Sequence, residues 1–313
     1  MPNFKIHPLI SSIHKRRRTV LFNHLRVKIN YRGIEMKSKY LGITKIQVPE
    51  IGLGTWAYTG GIEPLRRGIE LGAFLVDTAE SYGTEEAVGA AISDIRNRVY
   101  LATKVSPTHL KKVDVLRAAD ASLKRLATDW IDLYQVHWPN PNIPIGETMS
   151  AMEHLVNNGK IRHIGVSNFS IDQLKEAKNA LTKNVIISNQ VQYSLLKRGI
   201  EKDLLPYCQK NGITIIAYSP LAIGLPNILS EDNNGVISKI SENTGKTTAQ
   251  VVLNWCTSKE NVIAIPKANT IKHVEDSCGA SGWRLQEKDL SLLDHTFKFA
   301  LSSPVPTWES WEY

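Results

Sequence analysis

Apolar residues recur along this chain in two alternating patterns. Short runs read as strands at Phe74–Asp77, Val99–Lys104, Ile131–His137, Ile161–Ser167, Val185–Gln190, Thr214–Tyr218 and Val262–Pro266, and in the first of them Phe74, Leu75 and Val76 are apolar without alternation. That is the signature of strands covered on both faces, as in a parallel sheet. Between them lie stretches with helical spacing of apolar positions: Glu63–Leu71, Glu85–Ser93, Lys112–Leu126, Gly146–Asn158, Ile171–Ala180 and Ile200–Lys210. In Lys112–Leu126 the spacing predicts Val113, Leu116, Leu123 and Leu126 on the buried side. Further on, Val236–Thr244, Thr248–Ser258, Ile271–Cys278 and Glu287–Thr296 also read as helices. Lys39–Val48 predicts a small hairpin about a Gly turn, and Ile51–Gly54 a first short strand.

Eight strands then alternate with helices at a beat of about 30 residues, with no linker-like break after Met36. Strand–helix alternation implies a parallel sheet, and eight uninterrupted units imply an α/β fold of the (β/α)8 TIM-barrel type. The N-terminal hairpin and two extra C-terminal helices complete it. A doubly wound sheet would carry a Gly-rich phosphate turn after its first strand. Gly52-Leu53-Gly54 is the one candidate, and it lacks the third glycine at the required offset.

Composition changes this picture at one end only. The formal net charge is +8, but residues 1–35 hold eight Lys and Arg against a single acid, Glu35. The remainder, residues 36–313, is close to neutral, which argues against a nucleic-acid-binding face. The basic leader fits a transit peptide, a disordered arm, or an upstream start outside the native chain, with Met36 opening the barrel domain. No apolar stretch is long enough for a membrane helix. The three cysteines, Cys208, Cys256 and Cys278, have no metal-site spacing and fit the reduced thiols of a cytoplasmic protein.

In a barrel the C-terminal ends of the strands converge on one mouth. Three successive strands end there on ionisable groups: Asp77, Lys104 and His137. Taken singly, Asp77 could be a helix N-cap, Lys104 a lysine reaching solvent and His137 a satisfied core histidine. Together they suggest chemistry. Asp77 and Lys104 can pair and relieve each other's burial. A lysine near Tyr82 is expected to favour the phenolate and pull that phenol's pKa down from about 10. Such a tyrosine can protonate a developing alkoxide, with a neutral His137 orienting the oxygen.

These residues lie within a series of motifs that resembles the aldo-keto reductases over nearly all of Lys39–Trp311. The motifs are GLGTW (52–56), DTAESYG (77–83), LATKV (101–105), QVHWP (135–139), GVSNF (165–169), NQVQY (189–193), AYSPL (217–221) and IPKA (265–268). The family's catalytic tetrad falls on Asp77, Tyr82, Lys104 and His137. The resemblance implies a nicotinamide dinucleotide across the mouth. Thr55 would lie in its binding set, Ser167, Asn168 and Gln190 would hold the carboxamide, and Tyr218 would stack on the ring. Ser219 and Leu221 would line the pyrophosphate path. Lys267, Ala268, His273 and Ser277 would surround the adenine and 2′-phosphate. His273 stands where the family's arginine is usual, and Asp276 and Ser277 where a Glu and an Asn are common. The cofactor implied is NADPH, with NADH possible and the preference weaker than the family norm.

Trp56, Tyr58 and Trp138 are expected to wall an aromatic substrate pocket, with Trp308 and Trp311 able to close over it. The segment after Tyr218, AIGLPNILSEDNNG, reads as a short loop, like those of the prokaryotic diketogulonate and aldehyde reductases. An open mouth suits small aldehydes, α-dicarbonyls and sugar-derived ketones. The resemblance thus implies an NADPH-dependent carbonyl reductase acting as a monomer on a small molecule, while charge, hydropathy and residue spacing point to no nucleic-acid partner, no membrane partner and no metal. The alternative is a nicotinamide-binding subunit that senses redox state without turnover.

Overall fold

A computed structural model describes residues 35–305. Residues 1–34, which hold the basic segment, and Trp308 and Trp311 lie outside the described residues. Two strands, β1 (Ser38–Tyr40) and β2 (Gln47–Pro49), form the antiparallel hairpin. Eight parallel strands follow: β3 (Leu53–Gly54), β4 (Leu75–Asp77), β5 (Tyr100–Val105), β6 (Ile131–Val136), β7 (Ile161–Ser167), β8 (Ile186–Gln192), β9 (Thr214–Tyr218) and β10 (Val262–Ala264). Each pairs with the next in chain order.

The ends of this sheet meet. Ile51 pairs in parallel with Ala264, and the Gly52 amide donates to the Ala264 carbonyl at 2.8 Å. The Gly54 amide donates to the Pro266 carbonyl at 3.1 Å, so the barrel closes between its first and last strands. The glycines of GLGTW serve this seam. A Cβ at Gly54 would stand 2.6 Å from the Ile265 carbonyl oxygen, and one at Gly52 2.9 Å from that of Leu75. Their role is close backbone approach, not phosphate binding.

Alternation along the strands sorts side chains into two cores. Val76, Leu101, Tyr134, Val166 and Ile215 face outward against the helices. Leu75, Ala102, Leu133, Ile187, Ile216 and Ile263 fill the barrel interior with Leu41 and Val48 of the hairpin, which plugs its N-terminal end. The hairpin is tied down by Lys39, whose ammonium donates to the carbonyls of Thr257, Lys259 and Val262 at 2.5, 3.0 and 2.7 Å. Two residues further along each strand from Leu75, Ala102 and Leu133, the inward positions become Asp77, Lys104 and Gln135.

The helices are α1 (Glu63–Glu70), α2 (Glu85–Ile92), α3 (Lys112–Arg125), α4 (Ile145–Asn157), α5 (Ile171–Ala180), α6 (Leu204–Lys210), α7 (Leu225–Leu229), α8 (Val236–Thr244), α9 (Thr248–Ser258), α10 (Ile271–Cys278) and α11 (Glu287–Thr296). Three sequence expectations need correction. Helix α3 buries Val115, Ala118, Ala119 and Ser122, while Val113 is exposed. Small residues bring this helix close to the sheet; Leu116 and Leu123 are half-buried on its flanks, and Leu126 at its C-cap is buried as expected. The segment Ile200–Lys210 is a 3₁₀ turn, Gly199–Lys202, followed by α6. Pro206 has no amide hydrogen to bond back one turn, so it is tolerated only in the first turn of a helix that restarts at Leu204. The loop after Tyr218 contains α7. Among the described residues no helix is long and apolar enough to cross a membrane.

Candidate active site

The ends of β4, β5 and β6 and the turn after β4 bring four expected residues together. Lys104 is fully buried, and its Nζ donates to Asp77 Oδ1 at 2.6 Å, to the Thr78 carbonyl at 2.8 Å and to the Tyr82 hydroxyl at 3.4 Å. The ammonium also lies 4.7 Å from the centre of the Tyr82 ring. Tyr82 ends a 3₁₀ turn, Glu80–Tyr82, which the chain leaves through Gly83 at φ 67°. That left-handed conformation is open to glycine at little cost. On the other side of the phenol, His137 Nε2 lies 3.3 Å from the Tyr82 oxygen, and Nδ1 lies 3.5 Å from Ser81 Oγ.

Electrostatics follow from burial. Burial pulls the Lys104 ammonium toward its neutral form, but Asp77 and then Tyr82 outweigh it and its pKa rises. Burial, with Lys104 adding to it, holds His137 well below 6.5, so the imidazole is neutral near pH 7. For Tyr82 the sequence expectation reverses. Burial raises the phenol pKa by more than Lys104 lowers it, and Asp77 adds to the rise. The hydroxyl therefore keeps its proton at neutral pH.

Asp77 is held on both oxygens, since its Oδ2 accepts from Gln190 Nε2 at 2.8 Å and from Gln135 Nε2 at 3.1 Å. Sequence reading missed Gln135. The available signal was its place two residues before His137 on β6, where period two puts both on the inner face. Gln190 reaches Asp77 by a feature no pattern announces. Opposite Gly165, strand β8 carries an extra residue, since Ile164 pairs with Ile186 but Val166 with Asn189. This bulge lets both Ile187 and Gln190 point inward. A Cβ at Gly165 would stand 2.6 Å from Ser188 Oγ and 2.9 Å from Gln135 Cγ, so the glycine leaves room for the side chains packed opposite the bulge.

Around the mouth the remaining expected residues are distributed unevenly. Asn168, at φ 61°, donates from Nδ2 to Ser167 Oγ at 3.0 Å and to the His137 carbonyl at 3.2 Å. The Tyr218 hydroxyl donates to Asn168 Oδ1 at 3.1 Å, and Ser167 Oγ donates to the Gln190 carbonyl at 2.9 Å. Thr55 Oγ1 donates to the Asp77 carbonyl at 2.9 Å. Ser219, Ala222 and Ile223 all have positive φ beside the half-buried Leu221. Lys267 and His273 are exposed about the start of α10, with Ala268 half-buried between the strand and the helix. Thr270 Oγ1 caps that helix by accepting the His273 amide. Ser277 is buried on α10, and Asp276 accepts from Thr247 Oγ1 at 2.7 Å, so it is engaged with α9.

Of the three aromatics expected in a pocket, Trp56 is 52% exposed, whereas Tyr58 is 7% and Trp138 2% exposed. Tyr58 packs in the outer core and its hydroxyl donates to the Gly61 carbonyl at 2.8 Å. Of the three, Trp56 alone offers a large open face.

Residues 50–297 match the sequence model of the Aldo/keto reductase family. The chain is 40% identical over 265 residues to the methylglyoxal reductase YeaE of Escherichia coli, covering 80% of this chain and 92% of that protein. Among solved structures it resembles the thermostable aldo-keto reductase Tm1743, crystallised with the inhibitor epalrestat. The TM-score is 0.78 at 42% identity, over 83% of this chain and all (100%) of that one. An aldo/keto reductase from Klebsiella pneumoniae, solved with NADP and acetate, superposes with TM-score 0.76 at 38% identity, over 87% and 100% of the two chains.

Proposed function

Because the chain belongs to the aldo/keto reductase family and is an NAD(P)H-dependent oxidoreductase, we propose that it reduces small aldehydes and α-dicarbonyls with NADPH, Tyr82 giving the proton. The observation that carries this reading is the position of the Tyr82 oxygen between Lys104 Nζ and His137 Nε2. If Ser81 donates to His137 Nδ1, then Nε2 bears the ring proton and donates toward Tyr82. Lys104 donates to the same oxygen, so the phenol's own hydrogen is left to point at a substrate. A carbonyl oxygen placed there accepts the Tyr82 O–H, and the His137 Nε2–H turns from the phenol oxygen to the same carbonyl oxygen.

The mouth suits a phosphorylated dinucleotide. Lys267, Lys272 and His273 are exposed around the first turn of α10, where helix dipole and side-chain charge both favour an anion. Ser167, Asn168 and Gln190 offer amide and hydroxyl groups for a carboxamide, and Tyr218 offers a ring face. Bound there, the nicotinamide supplies the hydride that adds to the carbonyl carbon. The oxygen left with the electron pair takes the Tyr82 proton, and Lys104 stabilises the phenolate that forms. Asp77, fixed by Gln135 and Gln190, keeps Lys104 charged and aimed. Solvent returns the proton to Tyr82 between turnovers.

The substrate class follows from the relative named a methylglyoxal reductase and from the open face of Trp56. Loss of NADPH absorbance with methylglyoxal tests the activity. Tyr82→Phe should lower kcat by roughly 10²–10⁴-fold while leaving NADPH affinity intact. Full activity in the Phe variant would remove Tyr82 as the donor.

A further inference from the structure

We propose that Glu80 is a positioning residue that holds the Tyr82 phenol at working distance from Lys104. The inference rests on the carbonyl-reductase reading above. Glu80 opens the 3₁₀ turn that Tyr82 closes, so any tether on it acts within one turn of the phenol. Its carboxylate, only 9% exposed, is spent on another loop. Oε1 accepts the backbone amide of Ser106 and lies 3.1 Å from His109 Nδ1. Ser106 follows Lys104 by two residues at the end of β5. The tether therefore runs between the two segments that carry Tyr82 and Lys104.

The receiving loop is itself built rather than loose. Ser106 Oγ caps the 3₁₀ turn Pro107–His109 by accepting the Thr108 amide, and it pairs with Thr108 Oγ1 at 2.8 Å. The Pro107 carbonyl accepts from Asn140 Nδ2 at 2.9 Å, and Asn140 lies three residues past His137. Glu80 and Asn140 thus lace together the segments that carry Tyr82, Lys104 and His137.

Such a lace is needed because the phenol is weakly held by the groups it works with. Its contacts to Lys104 and His137, at 3.4 and 3.3 Å, are long, and Tyr82 and Lys104 are 22 residues apart in sequence. A charge-assisted bond to a backbone amide is a strong and directional anchor by comparison. Neighbouring charges do not compete for it. Glu85 accepts from Thr103 Oγ1 at 2.6 Å and from Arg125 Nε at 2.7 Å, and Glu86 is exposed. A surface acid with no role would keep its oxygens in water, not on the amide of the lysine's loop.

The test compares wild type, Glu80→Ala and Glu80→Gln in NADPH-dependent methylglyoxal reduction, with kcat expressed per NADPH bound in a fluorescence titration. Glu80→Ala should lose about 10–100-fold in kcat with KM little changed, as for a small displacement of a reacting group. Glu80→Gln keeps an oxygen for the Ser106 amide and should recover to within about 3-fold of wild type, given how little of the contact is lost. In the alcohol-oxidation direction, the pH at which the Glu80→Ala rate rises should move upward, because Lys104 no longer assists Tyr82 ionisation. Wild-type kcat in Glu80→Ala overturns the proposal. So does a loss fully matched by lost NADPH binding with an unmoved pH profile, or a Gln variant no better than Ala. If wild type itself fails to turn over, the reductase reading fails first and takes this one with it.

Discussion

Lys104 illustrates how a buried residue can be fixed in its charged form. With no exposure and three acceptors around it, the ammonium is compensated in the folded state and left without Asp77 would not be. His137, a few ångströms away, is forced the other way by the same burial and by that charge. Its pH consequence can be worked out. Unfolded, the imidazole binds a proton near its ordinary pKa of 6.5; folded, only well below it. As pH drops below about 6.5 the unfolded state takes up the proton first, so stability falls with acid and is unaffected above that range. His163, also lowered by burial, has the same sign. Between pH 6.5 and 5, replacing His137 with Gln should flatten the slope of unfolding free energy by up to about 1.4 kcal/mol per pH unit. Urea titrations across that range measure it. An unchanged slope would mean His137 is protonated in the fold.

At the scale of elements, close approach matters more than apolar count. Helix α3 turns Val115, two alanines and a serine to the core, so counting large apolar residues alone puts the exposed Val113 on its buried face. Strand β3 is two residues long, yet it closes the barrel, because Gly52 and Gly54 let backbones meet where a side chain would intrude. Gly54→Ala pushes a methyl against the Ile265 carbonyl and should cost about 1–3 kcal/mol. The expected reading is a lower urea midpoint with an unchanged m-value. A variant as stable as the parent would show that the seam has slack. Sequence reading missed two helix caps whose spacing marks them: Ser170 with Gln173 and Thr247 with Gln250 form capping boxes.

For the molecule as a whole, the helices seal the outer core against the sheet, and the cysteines, which lie on α6, α9 and α10, report on that layer. Cys208, Cys256 and Cys278 are buried and free, and burial pushes each thiol up to about 12. A thiolate is the reactive form. The native protein should therefore be inert to a disulfide reagent such as DTNB, and the denatured chain should release three equivalents. Rapid labelling of any thiol under native conditions would show that one of these core regions opens readily. The strand order, helices outside and hairpin beneath, all match the expected α/β barrel, since local alternation and parallel pairing leave few other arrangements.

The amino-acid order alone determined the periodicities, the number of strand–helix units and the ionisable ends of three adjacent strands. It also placed Asp77 beside Lys104, because a buried charge needs a partner and barrel topology puts these strand ends side by side. Tertiary structure decided the rest. Whether Tyr82 is more or less acidic than a free phenol depends on how burial and the Lys104 charge balance, and burial prevails. Whether Gln190 reaches Asp77 depends on a one-residue bulge opposite a glycine. The tether from Glu80 to Ser106 depends on how the loops after the paired strands β4 and β5 fold over the mouth. Each depends on distances of a few ångströms between residues far apart in the chain, and residue type and local spacing do not carry that information.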